Sequence, residues 1–101
     1  MVESLTMRAD YSSWALWRPD GSNLDPTTLP ILPSLTQRLN DWAAQYDATL
    51  NDDYPPDSGF PTPEAAEAFD RAGRELWMEL QVELGDGYRI TYFSDTEQRV
   101  L

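Results

Sequence analysis

The side chains with which this chain could do chemistry are mainly carboxylates, because its 101 residues include no His, Lys or Cys. The usual general base near neutral pH, the Schiff-base amine and the thiolate nucleophile are therefore all missing. One stretch concentrates the acids, namely Asp47, Asp52, Asp53 and Asp57. Hard cations accept flexible carboxylate loops, so one hypothesis is a small carboxylate- or metal-dependent hydrolase.

The spacing of these acids does not favour that hypothesis. It lacks the D-x-[DN]-x-[DN]-G pattern that wraps calcium, and no carboxylate pair has the fixed separation that identifies a glycosidase. The surrounding stretch, Asn51 to Pro61, is dense in turn residues, and Asp side chains in turns commonly bond to nearby backbone. The serines have no imidazole to activate them, and no glycine-rich loop opens a helix. We therefore expect no enzyme activity, no catalytic residue, no metal and no cofactor.

The overall charge indicates a class of partner. The formal net charge is −11, from 18 acidic residues against seven basic ones, all of which are Arg. A surface this acidic repels nucleic acid and anionic membrane, so we expect neither as a partner. The charge fits a solvated surface that keeps the protein soluble, and it equally fits attraction to a basic protein partner.

A second group of acids falls on a predicted helix. Glu75, Glu79 and Glu83 follow one another at i, i+4 spacing, which costs about 0.2–0.5 kcal/mol per pair unless something compensates. Met78 and Val82 lie roughly opposite the apolar stripe of the same helix, where polar residues are expected. Either another element covers these two residues, or they form the apolar centre of an acidic-rimmed contact patch.

Two tryptophans in the first part of the chain are further candidates. Trp14 and Trp17 stand in a strand-like stretch at an odd spacing, so they should point to opposite faces and one of them should be exposed. An exposed Trp is a frequent anchor of interfaces, although a role in the core or under a loop is the commoner one. Trp42 and Trp77 fall on apolar stripes and are predicted core residues.

Two helices are predicted to position these side chains. The longer one runs from a Thr62 cap through Leu84, with Pro63 at its first position and Gly85 at its exit. The shorter one starts at Ser34 and runs through Asn51, with Ser34 and Gln37 forming an S-x-x-Q capping box. The connection between the two is long, and the helices should lie antiparallel.

Strands are predicted before and after the helix pair in the sequence. The alternation of Leu5 to Tyr11 indicates a first strand, which Trp14 to Trp17 either continues past a bulge or follows as a short second strand. A β-branched and aromatic run from Tyr88 to Phe93 predicts the last strand, and Ser94 to Leu101 resembles a tail in which Val100 and Leu101 could dock. The predicted fold is a small two-layer α+β domain of order β-(β)-α-α-β, in which an antiparallel helix pair packs on one face of a small sheet.

Length and composition indicate the number of domains and the location of the protein. The chain is of single-domain size, and we expect one domain over residues 1–101. It has no apolar run of membrane-spanning length, and its first residues lack the pattern of a signal peptide. The expected location is the cytoplasm, and a monomer is favoured.

Four stretches carry a resemblance: DYSSWALW at Asp10 to Trp17, NLDP at Asn23 to Pro26, WAAQYDATLNDD at Trp42 to Asp53, and ELG at Glu83 to Gly85, which leads into YRITYF. With them the chain resembles small acidic bacterial immunity-type proteins, which inhibit the toxins of polymorphic toxin systems. The resemblance implies a protein that covers or plugs the active site of a toxin. It carries no functional motif from which site residues could be transferred.

The leading hypothesis is therefore a cytoplasmic inhibitor that binds a basic protein partner. Charge complementarity would speed the encounter, and a few apolar or aromatic anchors would supply most of the affinity. The expected partner-binding residues are Trp14, Trp17, Asp47, Asp52, Asp53, Asp57, Glu75, Met78, Glu79, Val82 and Glu83. The alternatives are the hydrolase described above and a structural or regulatory subunit that forms a homodimer through Met78 and Val82.

Overall fold

The computed structural model describes residues 2–50 and 59–101. The strands and helices of these residues follow in the order β1, β2, β3, α1, α2, β4, β5. Their bounds are Glu3–Met7 for β1, Leu16–Trp17 for β2, Asn23–Leu24 for β3, Pro33–Asp47 for α1, Pro63–Leu84 for α2, Tyr88–Ser94 for β4 and Arg99–Val100 for β5. Asp52, Asp53 and Asp57, three of the expected partner-binding residues, lie outside the described residues.

The strands form one mixed sheet of order β3-β2-β1-β4-β5. β1 pairs in parallel with β4, with Leu5 opposite Ile90 and Met7 opposite Tyr92, whereas the other neighbours are antiparallel. Parallel neighbours need a crossover connection, and the helix pair provides it. The predicted two-layer α+β fold is confirmed, with the helices packed on one face of the sheet.

The longer helix has the predicted bounds because its end signals are local. The Thr62 hydroxyl accepts a hydrogen bond from the Ala65 amide at 3.1 Å, and Pro63 occupies the first turn. Gly85 ends the helix at a φ of +72°, a conformation that a side chain would disfavour.

The shorter helix departs from the prediction at both ends. Leu32 is its N-cap residue and Pro33 its first helical residue, so the predicted capping box does not form. Ser34 already lies inside the helix, and the Gln37 side-chain amide donates a hydrogen bond to the Asp41 carboxylate at 2.8 Å instead. The helix stops at Asp47, before the predicted Asn51, because the following amides turn back to nearer carbonyls.

The strands also differ from the prediction. β1 ends at Met7, short of the predicted Tyr11, and the chain then turns, with Ser12 at a φ of +56°. The residues after Phe93 are not a frayed tail. They return as β5, and the Leu101 amide donates to the Tyr92 carbonyl at 2.7 Å.

The core lies between the inner sheet face and the helix pair. Its largest buried side chain, Trp42, stacks on Phe69 with ring centroids 4.5 Å apart, and its indole N–H donates to the Phe69 carbonyl at 3.0 Å. Gly73 lets α2 approach this cluster, since a Cβ there would lie 2.4 Å from the Tyr92 hydroxyl oxygen. Trp77, predicted to be in the core, is half-buried and packs against it.

Side chains of α2 complete the hydrogen bonding of β4 at its start. The Trp77 indole N–H donates to the Ile90 carbonyl at 2.8 Å, and the Gln81 side chain bonds to both the Tyr88 carbonyl and the Ile90 amide. Backbone groups on that side of β4 thus receive partners from a helix, where a strand would otherwise pair. These bonds fix the second half of α2 against the sheet.

Candidate partner-binding surface

Met78 and Val82 project from the second half of α2 into solvent. Their side chains are 60% and 81% exposed, whereas Leu76 and Leu80 on the other side of the helix are buried. Of the two alternatives set out for these residues, cover by another element is wrong for the described part of the chain. They form one exposed apolar strip because residues four apart are neighbours on a helix.

Acidic residues border this strip, and two of them have fixed positions. The Glu79 carboxylate lies 2.7 Å from the Arg38 guanidinium of α1. The Glu83 carboxylate accepts a hydrogen bond from the Leu32 amide at 2.8 Å. These contacts offset the like-charge spacing along the helix and hold the glutamates at the edge of the strip.

Leu32, the N-cap residue of α1, is another exposed apolar residue beside Glu83. It is 62% exposed, and its amide is bonded to the Glu83 carboxylate. Leu32 was not among the predicted partner-binding residues, because it lies in a proline-rich stretch with no helical periodicity. We call the group Leu32, Glu75, Met78, Glu79, Val82 and Glu83 the α2 surface.

Two shallow hollows lie on the α2 surface. One, of about 330 Å³, is lined by Met78, Glu79, Val82 and Glu83. The other, of about 420 Å³, is lined mainly by apolar atoms of Trp77, Met78, Gln81, Val82 and Ile90. Apolar floors next to carboxylates suit Lys or Arg side chains, whose stems are aliphatic and whose ends are cationic.

Asp47 lies at the other end of the helix pair. In the antiparallel pair Arg38 meets Glu79, whereas Tyr46 meets Phe69. At 1.5 Å per residue, the ten residues from Phe69 to Glu79 span about 15 Å. The Asp47 carboxylate accepts the Ser12 amide at 2.7 Å, which ties the β1–β2 loop to the end of α1.

The two candidate tryptophans occupy different places, and neither lies on the α2 surface. Trp14 is 43% exposed and stands in the loop before β2, where its amide donates to the Asn23 side chain at 2.8 Å. Trp17 is half-buried on the sheet face turned away from the helices. Its indole N–H donates to the Arg8 carbonyl at 3.1 Å, and the Arg8 guanidinium lies 4.9 Å from its ring centroid.

A buried carboxylate, Asp70, holds the end of the sheet, although its i, i+4 spacing to Arg74 is that of an ordinary surface ion pair. Asp70 does pair with Arg74 at 2.9 Å, but it is buried. Its carboxylate oxygens also accept hydrogen bonds from the side-chain hydroxyls of Tyr92, Ser94 and Thr96, at 2.8, 3.0 and 3.1 Å. Arg74 in turn reaches Glu97, so the cluster joins α2 to the β4–β5 turn.

These contacts set the protonation state of the cluster. Burial raises the pKa of Asp70, but the hydrogen bonds from Tyr92, Arg74, Ser94 and Thr96 outweigh it and leave the pKa below its usual value. Burial and the adjacent carboxylate raise the pKa of Tyr92. Asp70 is therefore an ionised, fully engaged structural group. Its place beside Phe69, at the edge of the apolar stripe, was the available sequence signal.

The described residues contain no group of three or more His, Cys, Asp or Glu side chains arranged to hold a metal ion. Within the same residues, neither helix combines the length and apolar character needed to cross a membrane. In the described part of the chain, the exposed apolar strip with its acidic edge is thus the feature that departs most from an ordinary helix surface.

Comparison with known proteins gives one family. A family model described as "Serratia CdiI immunity protein-like" matches residues 3–95 of the 101. The match spans β1 through β4 and includes the whole α2 surface. A search of curated proteins finds no match.

Proposed function

The chain belongs to the Serratia CdiI immunity protein-like family, and on that premise we propose that it neutralises a toxin by binding a basic region of it through the α2 surface. An immunity-type role follows from the family. The identity of the toxin, the basic character of its binding region and the location of the contact are our proposal. The observation that carries it is that Met78 and Val82 are exposed side by side on α2, next to a row of glutamates.

The two kinds of side chain on this surface have separate tasks. Full burial of Met78 and Val82 stabilises a complex by about 1.5–3 kcal/mol for each side chain, and this gain does not depend on salt. Glu75, Glu79 and Glu83 raise the association rate of a cationic partner, and this gain falls as salt screens the charges. The apolar pair thus governs dissociation, whereas the glutamates govern the encounter.

Charge favours a basic partner over a second copy of this chain. A two-fold contact centred on Met78 and Val82 would place the glutamates of one copy against those of the other. α2 carries six acidic residues and two Arg, so the repulsion would extend along the helix. The homodimer hypothesis predicts a dimer at micromolar concentration in a sedimentation experiment, and our proposal predicts a monomer.

The experiment that tests the proposal measures association and dissociation rates with the product of the adjacent gene, at low and high salt. The double variant Met78→Ser, Val82→Ser should dissociate at least tenfold faster at both salt concentrations. The double variant Glu79→Gln, Glu83→Gln should associate several-fold more slowly at low salt and match the parent at high salt. Glutamine keeps an acceptor for the Leu32 amide, so the helix boundary stays intact.

Matched controls come from the same chain. Val2→Ser removes another exposed apolar side chain, and Glu67→Gln removes another exposed carboxylate of α2, about 18 Å along the helix axis from Glu79. Both controls should bind like the parent. Absence of a complex at low salt, or equal effects of Glu67→Gln and the glutamate variant, would contradict the proposal.

A further inference from the structure

The face of the sheet turned away from the helices forms a second surface of different character. Because side chains alternate along a strand, Leu5 and Met7 point into the core while Thr6 points outward. The outward residues of the paired strands lie side by side in the described structure. We call this group the outer sheet face, formed by Ser4, Thr6, Arg8, Trp17, Arg89, Thr91, Phe93 and Val100.

The outer sheet face has an apolar groove at its centre. Trp17 and Phe93 are half-buried, Val100 is 57% exposed, and all three border a groove of about 280 Å³. The Thr6 and Thr91 hydroxyls, 3.0 Å apart, satisfy each other beside it. No element of residues 2–50 and 59–101 forms a layer over this face, and such a face is usually polar, so two aromatic rings and a valine need a different explanation.

The charge of this face is opposite to that of the helix side. Arg8 stacks over Trp17 and Arg18 borders the groove, while Arg89 stands exposed on β4. Three of the seven arginines therefore gather here, whereas acids predominate on α2.

Acids also lie near these arginines, since Asp20 is close enough to Arg18 to feel its charge and Glu3 lines a neighbouring hollow together with Arg18. Asp10 lies 3.7 Å from the Arg8 guanidinium, and both side chains are about half exposed, so the pair is weak. The Asp20 carboxylate accepts the amide and hydroxyl of Ser22, which hold it in its own turn. Among the described residues, Arg18 and Arg89 are exposed and form no ion pair within 4 Å, so these two and the weakly paired Arg8 can meet an incoming anion.

From this placement we propose that the outer sheet face is a docking surface for an acidic protein segment that carries an aromatic or aliphatic side chain. That side chain fills the groove between Trp17 and Phe93, and flanking carboxylates pair with Arg8, Arg18 and Arg89. Arg presents a fork of donors that matches a carboxylate, and its position over an indole pre-organises it. A strand-like segment of alternating acidic and apolar residues meets both requirements.

This surface selects the opposite charge from the α2 surface. Because the two surfaces lie on opposite layers of the fold, an acidic segment on the sheet and a basic partner on α2 can be bound together. The net charge of −11 opposes every anion, and it opposes nucleic acid most because that polymer carries a charge on every phosphate. The apolar groove favours a protein segment, which can place an aromatic or aliphatic side chain in it. The inference does not depend on the proposed immunity function, since it concerns different residues and a different ligand.

The test titrates isotope-labelled protein with two short synthetic peptides and follows the NMR signals. One peptide alternates Asp with Phe, and the other replaces each Asp by Lys. The acidic peptide should shift the Trp17 indole signal and the amides of Thr6, Thr91 and Phe93, and leave Met78 and Val82 unchanged. Arg8→Gln should weaken its binding at least fivefold, while Arg71→Gln, which removes an exposed arginine of α2, should leave it unchanged.

Three results would overturn the proposal. The first is an absence of shifts on the outer sheet face, or equal shifts with the two peptides. The second is tighter binding of a single-stranded oligonucleotide than of the acidic peptide at this face. The third is self-association by sedimentation that Arg8→Gln abolishes, which would make a second copy of the chain the occupant.

Discussion

Replacement of Asp70 by Ala should destabilise the protein by more than any single exposed carboxylate does. Without the carboxylate, the buried hydroxyls of Tyr92 and Ser94 lose the acceptor that lies 2.8 and 3.0 Å away. A buried polar group left without a partner costs about 1–3 kcal/mol. Arg74 keeps Glu97 and is partly exposed, so the loss comes mainly from the orphaned hydroxyls, and we expect a total of about 2–4 kcal/mol.

The pH dependence of this effect follows from the lowered pKa of Asp70. The Asp70 carboxylate binds a proton more weakly in the folded protein than in the unfolded chain. The stabilisation is therefore fully present above the unfolded pKa of about 3.9. It is lost as the pH falls through the lower, folded pKa. The parent and the Asp70→Ala variant should therefore differ most near neutral pH and converge in strong acid.

Urea denaturation at pH 7 and at several values below pH 4 measures both effects. Asp86→Ala is the control, because Asp86 is an exposed residue in the turn after α2, and it should change the free energy of unfolding by less than about 0.5 kcal/mol. A loss below about 1 kcal/mol for Asp70→Ala at pH 7 would refute our account of the cluster. So would a difference between variant and parent that grows as the pH falls.

Two further substitutions test the packing and the boundary of α2. Gly73→Ala should lower the free energy of unfolding by about 1–3 kcal/mol in urea denaturation, because its Cβ would meet the Tyr92 hydroxyl and Trp42. Gly87→Ala is the control and should be nearly neutral, since open space surrounds Gly87. Equal effects of the two substitutions would contradict the close approach of α2 to the cluster. Thr62→Ala should cost about 1 kcal/mol through loss of the cap to Ala65, with Thr62→Ser close to the parent, and an unchanged Thr62→Ala protein would show that the cap contributes nothing.

The sequence predicted those elements whose signals are local. Both ends of α2 follow from Thr62, Pro63 and Gly85, and β4 follows from its β-branched and aromatic run. The two-residue strands β2, β3 and β5 have too few residues to show a pattern, and their pairing depends on where the rest of the chain lies. The capping box failed because Pro33 starts the helix one residue early and leaves Leu32 as its cap.

The candidate surfaces divide in the same way. Helical spacing alone placed Glu79, Glu83, Met78 and Val82 together, and the structure has them side by side. Their exposure could not be predicted, because it depends on which elements pack elsewhere. The outer sheet face joins residues distant in sequence, such as Trp17 and Phe93, and no local pattern reports that neighbourhood.

The two surfaces prefer opposite charges but should respond to salt in the same way. High salt should weaken a basic partner on α2 and an acidic segment on the sheet alike, since both encounters rely on exposed charges. The apolar contribution of Met78 and Val82 should persist, because burial of apolar area is not screened. A complex with a toxin should therefore remain measurable at high salt, with a slower association rate.

The most direct test of the central claim follows the side-chain methyl signals of Met78 and Val82 by NMR while the product of the adjacent gene is added. We predict that both signals change on formation of the complex and that Val2, exposed elsewhere, keeps its signal. A stable complex that neutralises the toxin but leaves the Met78 and Val82 signals unchanged would contradict the assignment of the α2 surface as the toxin-binding site.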